Sequence, residues 1–197
     1  MTPNQFKSAV GCTSAKVSEH FSAALYAMTL FGIITGGRGA LAAFLANVGH
    51  ETLGLVYGEE IWGPTAAQKR YEIPSDLAKQ LGNVLVGDGL RFKGRGPMML
   101  TGRANYQRAT LDLRRELARL PGVPIPSSRV PDFEASPDAL AEPSWGWLVA
   151  AQFFASRGCI PLAAKGNFDG VCRVLNGGAN GLADRRARYA AAQKVLA

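Results

Sequence analysis

A change of texture along the chain limits its fold more than any single residue does. The stretch from Thr52 to Gly102 is interrupted repeatedly by turn-forming residues: Gly63-Pro64, Ile73-Pro74, Gly87-Asp88-Gly89 and Gly96-Pro97. On either side of it, apolar residues recur at helical spacing. This pattern predicts two helical lobes separated by a loop-rich middle.

The helices can be placed more closely. Thr2 followed three residues later by Gln5 has the form of a capping box that opens a short helix ending near Gly11. Thr13 to Phe31 reads as a longer helix with Val17, Phe21, Leu25 and Met28 on one face, broken by Gly36, Gly37 and Gly39. From Ala40 to Glu51 the residues Leu41, Phe44, Leu45 and Val48 repeat at helical spacing. Short helices and a small hairpin around Arg91 to Leu100 are expected in the middle. Helices follow at 105–120, 144–156, 167–175 and 182–196. The six prolines between Pro121 and Pro143 mark a wrapped surface segment.

At 197 residues and 47% apolar content, the chain is long enough for one globular domain with a sizeable core. Its charge of +7 and pI near 9.6 favour a polyanionic partner. No Lys/Arg run exceeds two residues and no basic block alternates with aromatics, so nucleic acid is not the expected partner. Cys12, Cys159 and Cys172 lie at unrelated spacings, with only two histidines in the chain. They predict buried thiols rather than a disulfide framework or a metal site. Phe21 to Ile34 is too short to span a bilayer. The N-terminus lacks the pattern of a signal peptide, so synthesis in the cytoplasm is expected.

The chemistry centres on His50-Glu51-Thr52-Leu53-Gly54. Glu51 follows Phe44 by seven residues and Val48 by three, on or beside the apolar stripe of its helix. A carboxyl held there is partly desolvated, which favours the protonated form that a general acid uses. The bland alternative is a boundary glutamate turned outward or paired with an arginine. Glu60 follows nine residues later, beyond the helix-breaking Gly54 and Gly58. A chain reversing there would bring a second carboxylate back towards the first, the basic apparatus of glycoside hydrolysis. Glu59 is a rival that spacing alone does not separate from Glu60. A zinc-protease reading of His50-Glu51 fails because Gly54 stands where the second histidine is required.

Two further segments carry polar groups suited to sugars. In Lys93-Gly94-Arg95-Gly96-Pro97-Met98-Met99-Leu100-Thr101-Gly102-Arg103-Ala104-Asn105-Tyr106, the residues Thr101, Asn105 and Tyr106 supply hydroxyl and amide groups able to grip a sugar or hold a water. An ordinary tight turn before a helix would look similar. In Asn176-Gly177-Gly178 and Asp184-Arg185, Asn176 is suited to an N-acetyl group and Arg185 to a carboxylate.

The segments FLANVGHET, EEIWGPTAAQKRYE, DGLRFKGRGPMMLTGRANY and VLNGGANGLADRRARYA, in this order, resemble the family 19 glycoside hydrolases, the chitinases and their bacteriophage lysozyme-like relatives. The resemblance covers nearly the whole chain and is weakest over Leu111 to Pro143. It implies a single catalytic domain over residues 1–197 with a mainly α, two-lobed lysozyme-like fold, a small loop or hairpin region and a central substrate cleft. It also implies an inverting mechanism. Glu51 falls on the general acid, Glu60 on the general base and Thr101 on a residue that helps hold the attacking water. Asn105, with Tyr106 beside it, and Asn176 fall on substrate-binding positions, and Arg185 on an arginine that pairs with the acid. Met99 replaces the family's usual glutamine and removes one hydrogen bond to sugar.

The sequence therefore predicts hydrolysis of β-1,4 bonds between amino sugars, with no metal or organic cofactor. Peptidoglycan is the expected substrate and chitin the nearest rival. The setting expected is that of a monomeric endolysin, not inserted in a membrane, which reaches the periplasm and wall through a separate holin-like protein. A wall-binding protein with weakened turnover is the rival from another class, and Met99 is the one feature in its favour.

Overall fold

The computed structural model describes residues 1–120 and 122–196. They form eleven α-helices and two short 3-10 turns, with no regular strand among the described residues, as a mainly helical fold requires. The chain divides into two compact units, residues 1–57 with 150–197 and residues 58–149.

The first unit is built on α3 (Gly37–Glu51). Around it pack α1 (Pro3–Val10), α9 (Cys159–Ala164), α10 (Phe168–Asn176) and α11 (Leu182–Val195), while α2 (Ser14–Leu30) packs on α1. The expected capping box is present, with Thr2 and Gln5 each bonding the other's backbone N–H. The helix α3 begins at Gly37, inside the glycine cluster expected to break the chain. It is also buried on all sides from Ala40 to Gly49 rather than along one stripe. Alanines and glycines on its other faces let four helices approach it. A Cβ on Gly49 would sit 2.5 Å from the Val10 carbonyl oxygen, so α1 crosses where α3 has no side chain. In α2 the buried face runs through His20, Ala24, Ala27 and Met28, whereas Val17, Phe21 and Leu25 are half-buried. All three cysteines are free and buried.

The end of α3 is unusual. Leu53, Gly54 and Leu55 all have positive φ, of 50°, 67° and 63°. Each non-glycine residue there costs roughly 1 kcal/mol. The turn is held by Thr52, whose hydroxyl donates to the Val48 carbonyl (2.7 Å) and accepts from Leu55 N–H (2.8 Å). Strain of this kind is tolerated mainly at functional sites, and here it begins two residues after Glu51.

In the second unit, α4 (Ala66–Lys69), α5 (Asp76–Leu81) and α6 (Asp88–Arg91) are short, and α7 (Arg103–Arg119) is the long element. The expected hairpin is reduced to isolated bridges, Glu59 with Arg95 and Arg95 with Leu100. Buried Asp88 organises the middle loops by accepting from Val84 and Leu85 N–H and from Arg103, the last through Nε (2.9 Å) and Nη2 (2.5 Å). Burial pushes this carboxyl up, but Arg103 and the two backbone donors outweigh it and hold it below its ordinary value.

The proline-rich segment is more than a surface wrap. Val130, Phe133 and Leu140 are buried. Arg114 donates to the Val130 carbonyl, Thr110 accepts from Phe133 N–H, and Arg103 and Gln107 bind the Glu134 carboxylate. The segment is a strap tied to α7. Residue 121, at its start, lies outside the described residues. The helix α8 (Pro143–Ser156) follows and contributes residues to both units.

Candidate active site

Glu51 is the last residue of α3 and its side chain is 20% exposed. Its carboxylate meets the Nη2 of Arg185, which projects from the first turn of α11 and is almost fully buried. The setting that the sequence presented as apolar therefore contains a fixed cation.

Two asparagines hold that cation. Asn47 Oδ1 accepts from Arg185 Nη1 (2.7 Å), and Asn176 Oδ1 accepts from Nη2 (3.1 Å). Both asparagines spend their amide nitrogen on the carbonyl four residues earlier, Asn47 on Ala43 and Asn176 on Cys172. Those bonds decide which end of each amide faces the guanidinium. The Nε of Arg185 donates to the Asn180 carbonyl (3.3 Å).

A second contact runs beside the first. His50 Nδ1 lies 2.6 Å from Asp184, which also accepts from Arg188 Nε at 2.8 Å. These two partners, His50 first, hold the Asp184 carboxyl below its ordinary value. Consecutive residues of α3 thus pair with consecutive residues of α11. Gly181 permits the approach, since a Cβ there would lie 2.4 Å from the His50 ring.

In the second unit the adjacent glutamates have unlike partners. Glu59 faces Lys93 Nζ (3.1 Å) and Arg95 Nε (3.3 Å). Glu60 meets uncharged donors: Gln68 Nε2 on Oε1 (3.0 Å) and Gly94 N–H on Oε2 (3.2 Å). Burial and then the Glu60 carboxylate push the Tyr71 phenol up. A pocket of about 730 Å³ is lined by Glu59, the rival of Glu60, with Lys93, Arg95 and Asp138 among others; Glu60 and the other sequence-predicted site residues do not line it.

The glycine-rich turn places Met99 in the left-handed region at φ 47°. Thr101 donates its hydroxyl to the Met99 carbonyl (2.9 Å), and Asn105 donates its amide to the Thr101 carbonyl (2.7 Å). The Thr101 oxygen keeps its accepting capacity, and the Asn105 amide offers its oxygen.

Tyr106 departs from expectation. Its side chain is fully buried, its hydroxyl donates to the Lys93 carbonyl (2.6 Å) and accepts from Arg95 Nη1 (3.0 Å), and burial pushes the phenol up to about 12. It supports the turn and has no surface to offer a sugar.

Asn47, Gln68, Tyr71 and the His50–Asp184 contact were not anticipated from the sequence. Asn47 alone carried a signal, as the one polar residue between Ala40 and Gly49. Among the described residues no cluster of His, Cys, Asp or Glu could hold a metal ion.

No family model matches the chain. Among solved structures it is similar to chitinase C from Streptomyces griseus HUT6037, at a TM-score of 0.70 and 19% identity over 99% of this chain and 76% of that one. It is also similar to a bacterial family 19 chitinase, at a TM-score of 0.69 and 21% identity over 99% of this chain and 94% of that one. The chain therefore has the fold of the family 19 chitinases.

Proposed function

We propose that the protein is a glycoside hydrolase that cleaves β-1,4 bonds between amino sugars with inversion, using Glu51 as general acid and Glu60 as general base. The observation that supports this reading is that the two glutamates have unlike partners, with Arg185 placed to stabilise the carboxylate that Glu51 becomes once its proton has left. Glu51 lies against a single arginine fixed by two asparagine oxygens. Glu60 is held only by neutral donors and remains able to accept a proton from water. Glu51 protonates the leaving oxygen while Glu60 activates water that the Thr101 oxygen helps to hold. Asn105 and Asn176 are the proposed sugar contacts.

Peptidoglycan is the preferred substrate, in the manner of an endolysin, because of where the charge lies. The first unit has ten Lys/Arg against four Asp/Glu, and the second has twelve against eleven. All four acids of the first unit sit in ion pairs: Glu19 with Lys16, Glu51 with Arg185, Asp169 with Arg186 and Asp184 with Arg188. Among the described residues Lys7, Arg38, Arg157, Lys165, Arg173 and Lys194 stand outside these ion pairs. A carboxylate-bearing wall glycan would gain encounter rate and weak affinity from this surplus, and salt would screen both. Chitin, which is uncharged, is the second reading, favoured by the likeness to chitinases.

The test incubates one enzyme batch with purified peptidoglycan and with chitin across a salt series and identifies the new reducing ends by mass spectrometry. Release from peptidoglycan that weakens with salt, with slow or no release from chitin, is expected. Rapid chitin degradation beside intact peptidoglycan would overturn the endolysin reading and leave the two-glutamate mechanism standing.

A further inference from the structure

Gln68 is a polar side chain that is 4% exposed, and it lies within hydrogen-bond reach of Glu60. Its Oε1 accepts from the backbone N–H groups of Gly63 (3.2 Å) and Thr65 (2.8 Å). Its Nε2 donates to the Ile61 carbonyl (2.7 Å) and to Glu60 Oε1 (3.0 Å). A glutamine amide has two N–H donors and two acceptor lone pairs, and here all four are used. Turning the amide over would set its oxygen against the Glu60 carboxylate and its NH₂ against two backbone donors. The four bonds therefore fix which end of the amide faces Glu60.

A general base must hold one oxygen at the water it activates, and a misplacement of about 1 Å can cost roughly 10²-fold in rate. A glutamate on an irregular segment does not achieve this alone, because its side chain has several rotamers of similar energy. Gln68 restricts Oε1, while Gly94 N–H restricts Oε2 from the other side. A lysine or arginine would also fix the carboxylate, but in an ion pair that competes with proton transfer, as Lys93 and Arg95 do at Glu59. A neutral donor positions the carboxylate without adding a charge. We propose that Gln68 is the positioning residue for Glu60: its fully bonded amide sets the orientation from which that carboxylate takes the proton of the attacking water. The proposal rests on the assignment of Glu60 as base.

The informative variant is Gln68→Glu. A glutamate here keeps both acceptor bonds to Gly63 and Thr65, so the turn into α4 is retained. It replaces the donor facing Glu60 with a second carboxylate, and two carboxylates at that distance share a proton. On a soluble oligosaccharide, kcat is expected to fall roughly 10-fold to 10²-fold with KM little changed, and the acidic limb of the rate–pH profile to move to higher pH. A merely structural role would not move that limb. Gln68→Met donates nothing and carries no charge, and it covers the case in which the carboxylate pair prevents folding. It too should lower kcat while KM holds. Glu60→Gln is measured alongside. If Glu60→Gln is inactive while folded Gln68→Glu, or Gln68→Met in its place, keeps wild-type kcat and pH profile, the positioning role is overturned alone. If Glu60→Gln itself keeps wild-type turnover, both the base assignment and the positioning role fall.

Discussion

The Nη2 of Arg185 touches the Glu51 carboxylate and the Asn176 amide oxygen at once, while Nη1 of the same guanidinium is held by Asn47. One planar cation thus joins three helices, α3, α10 and α11, at the proposed acid. Lysine cannot reproduce this, because its ammonium lacks the flat fork that reaches several acceptors in one plane. Arg185→Lys is expected to lower turnover at least about tenfold and to destabilise the fold by about 2 kcal/mol, the scale of hydrogen bonds to a charged group. Oligosaccharide kinetics with urea unfolding checks both. Wild-type stability in that variant would show that the asparagine oxygens do not depend on the guanidinium.

The adjacent glutamates should separate cleanly. Glu60→Gln is expected to abolish most activity. Glu59→Gln, which weakens the pairs to the half-buried Lys93 and the buried Arg95 while Arg95 keeps Asp138, should matter little for activity even where it lowers stability. The reverse order of activities would reassign the base. Water activated by Glu60 should also leave the first product as the α anomer, observable by proton NMR.

Met99 adopts φ 47°, a strained conformation that methionine and glutamine bear about equally. A thioether accepts hydrogen bonds weakly. Met99→Gln should therefore fold normally and tighten binding of chitin oligomers by up to about 1 kcal/mol. Calorimetry showing unchanged or weaker binding would mean that the surroundings have adapted to methionine.

Asp88 gives the second unit an acid-sensitive point. Its carboxyl is held below the ordinary value of 3.8, with Arg103 and the backbone donors outweighing burial. A depressed carboxylate contributes stability that is complete above its unfolded value and is lost as pH falls through its folded value. The melting temperature should therefore fall below about pH 3.8. Asp88→Asn should be less stable at neutral pH and show a flatter acid slope. An unchanged slope would move the acid sensitivity to other carboxylates.

What the sequence revealed follows from the range of each signal. Local signals were legible: the Thr2–Gln5 box, the stop at Gly11 and the helix ending at Glu51 are each set within a turn or two. The helix α9 was not among the expected elements: it is only six residues long, with Pro161 in its first turn, where no backbone N–H is needed. Tyr106 was grouped with Asn105, although adjacent residues on a helix point about 100° apart and do not share a face. Motif order pointed to Arg185 as a partner for the acid, but the asparagine oxygens that fix it involve residues 138 and 9 positions away. Periodicity does not encode contacts across such separations. Gln68 gave no warning, because a capping glutamine looks the same whether or not its amide also reaches a carboxylate.

The most direct test of the central claim is the release of reducing ends from purified peptidoglycan by Glu51→Gln, with its fold checked by circular dichroism. If Glu51 donates the proton to the leaving oxygen, turnover falls by roughly 10² or more while the helical signal is unchanged. Wild-type-like release from the folded variant would contradict the account and remove Glu51 from the mechanism.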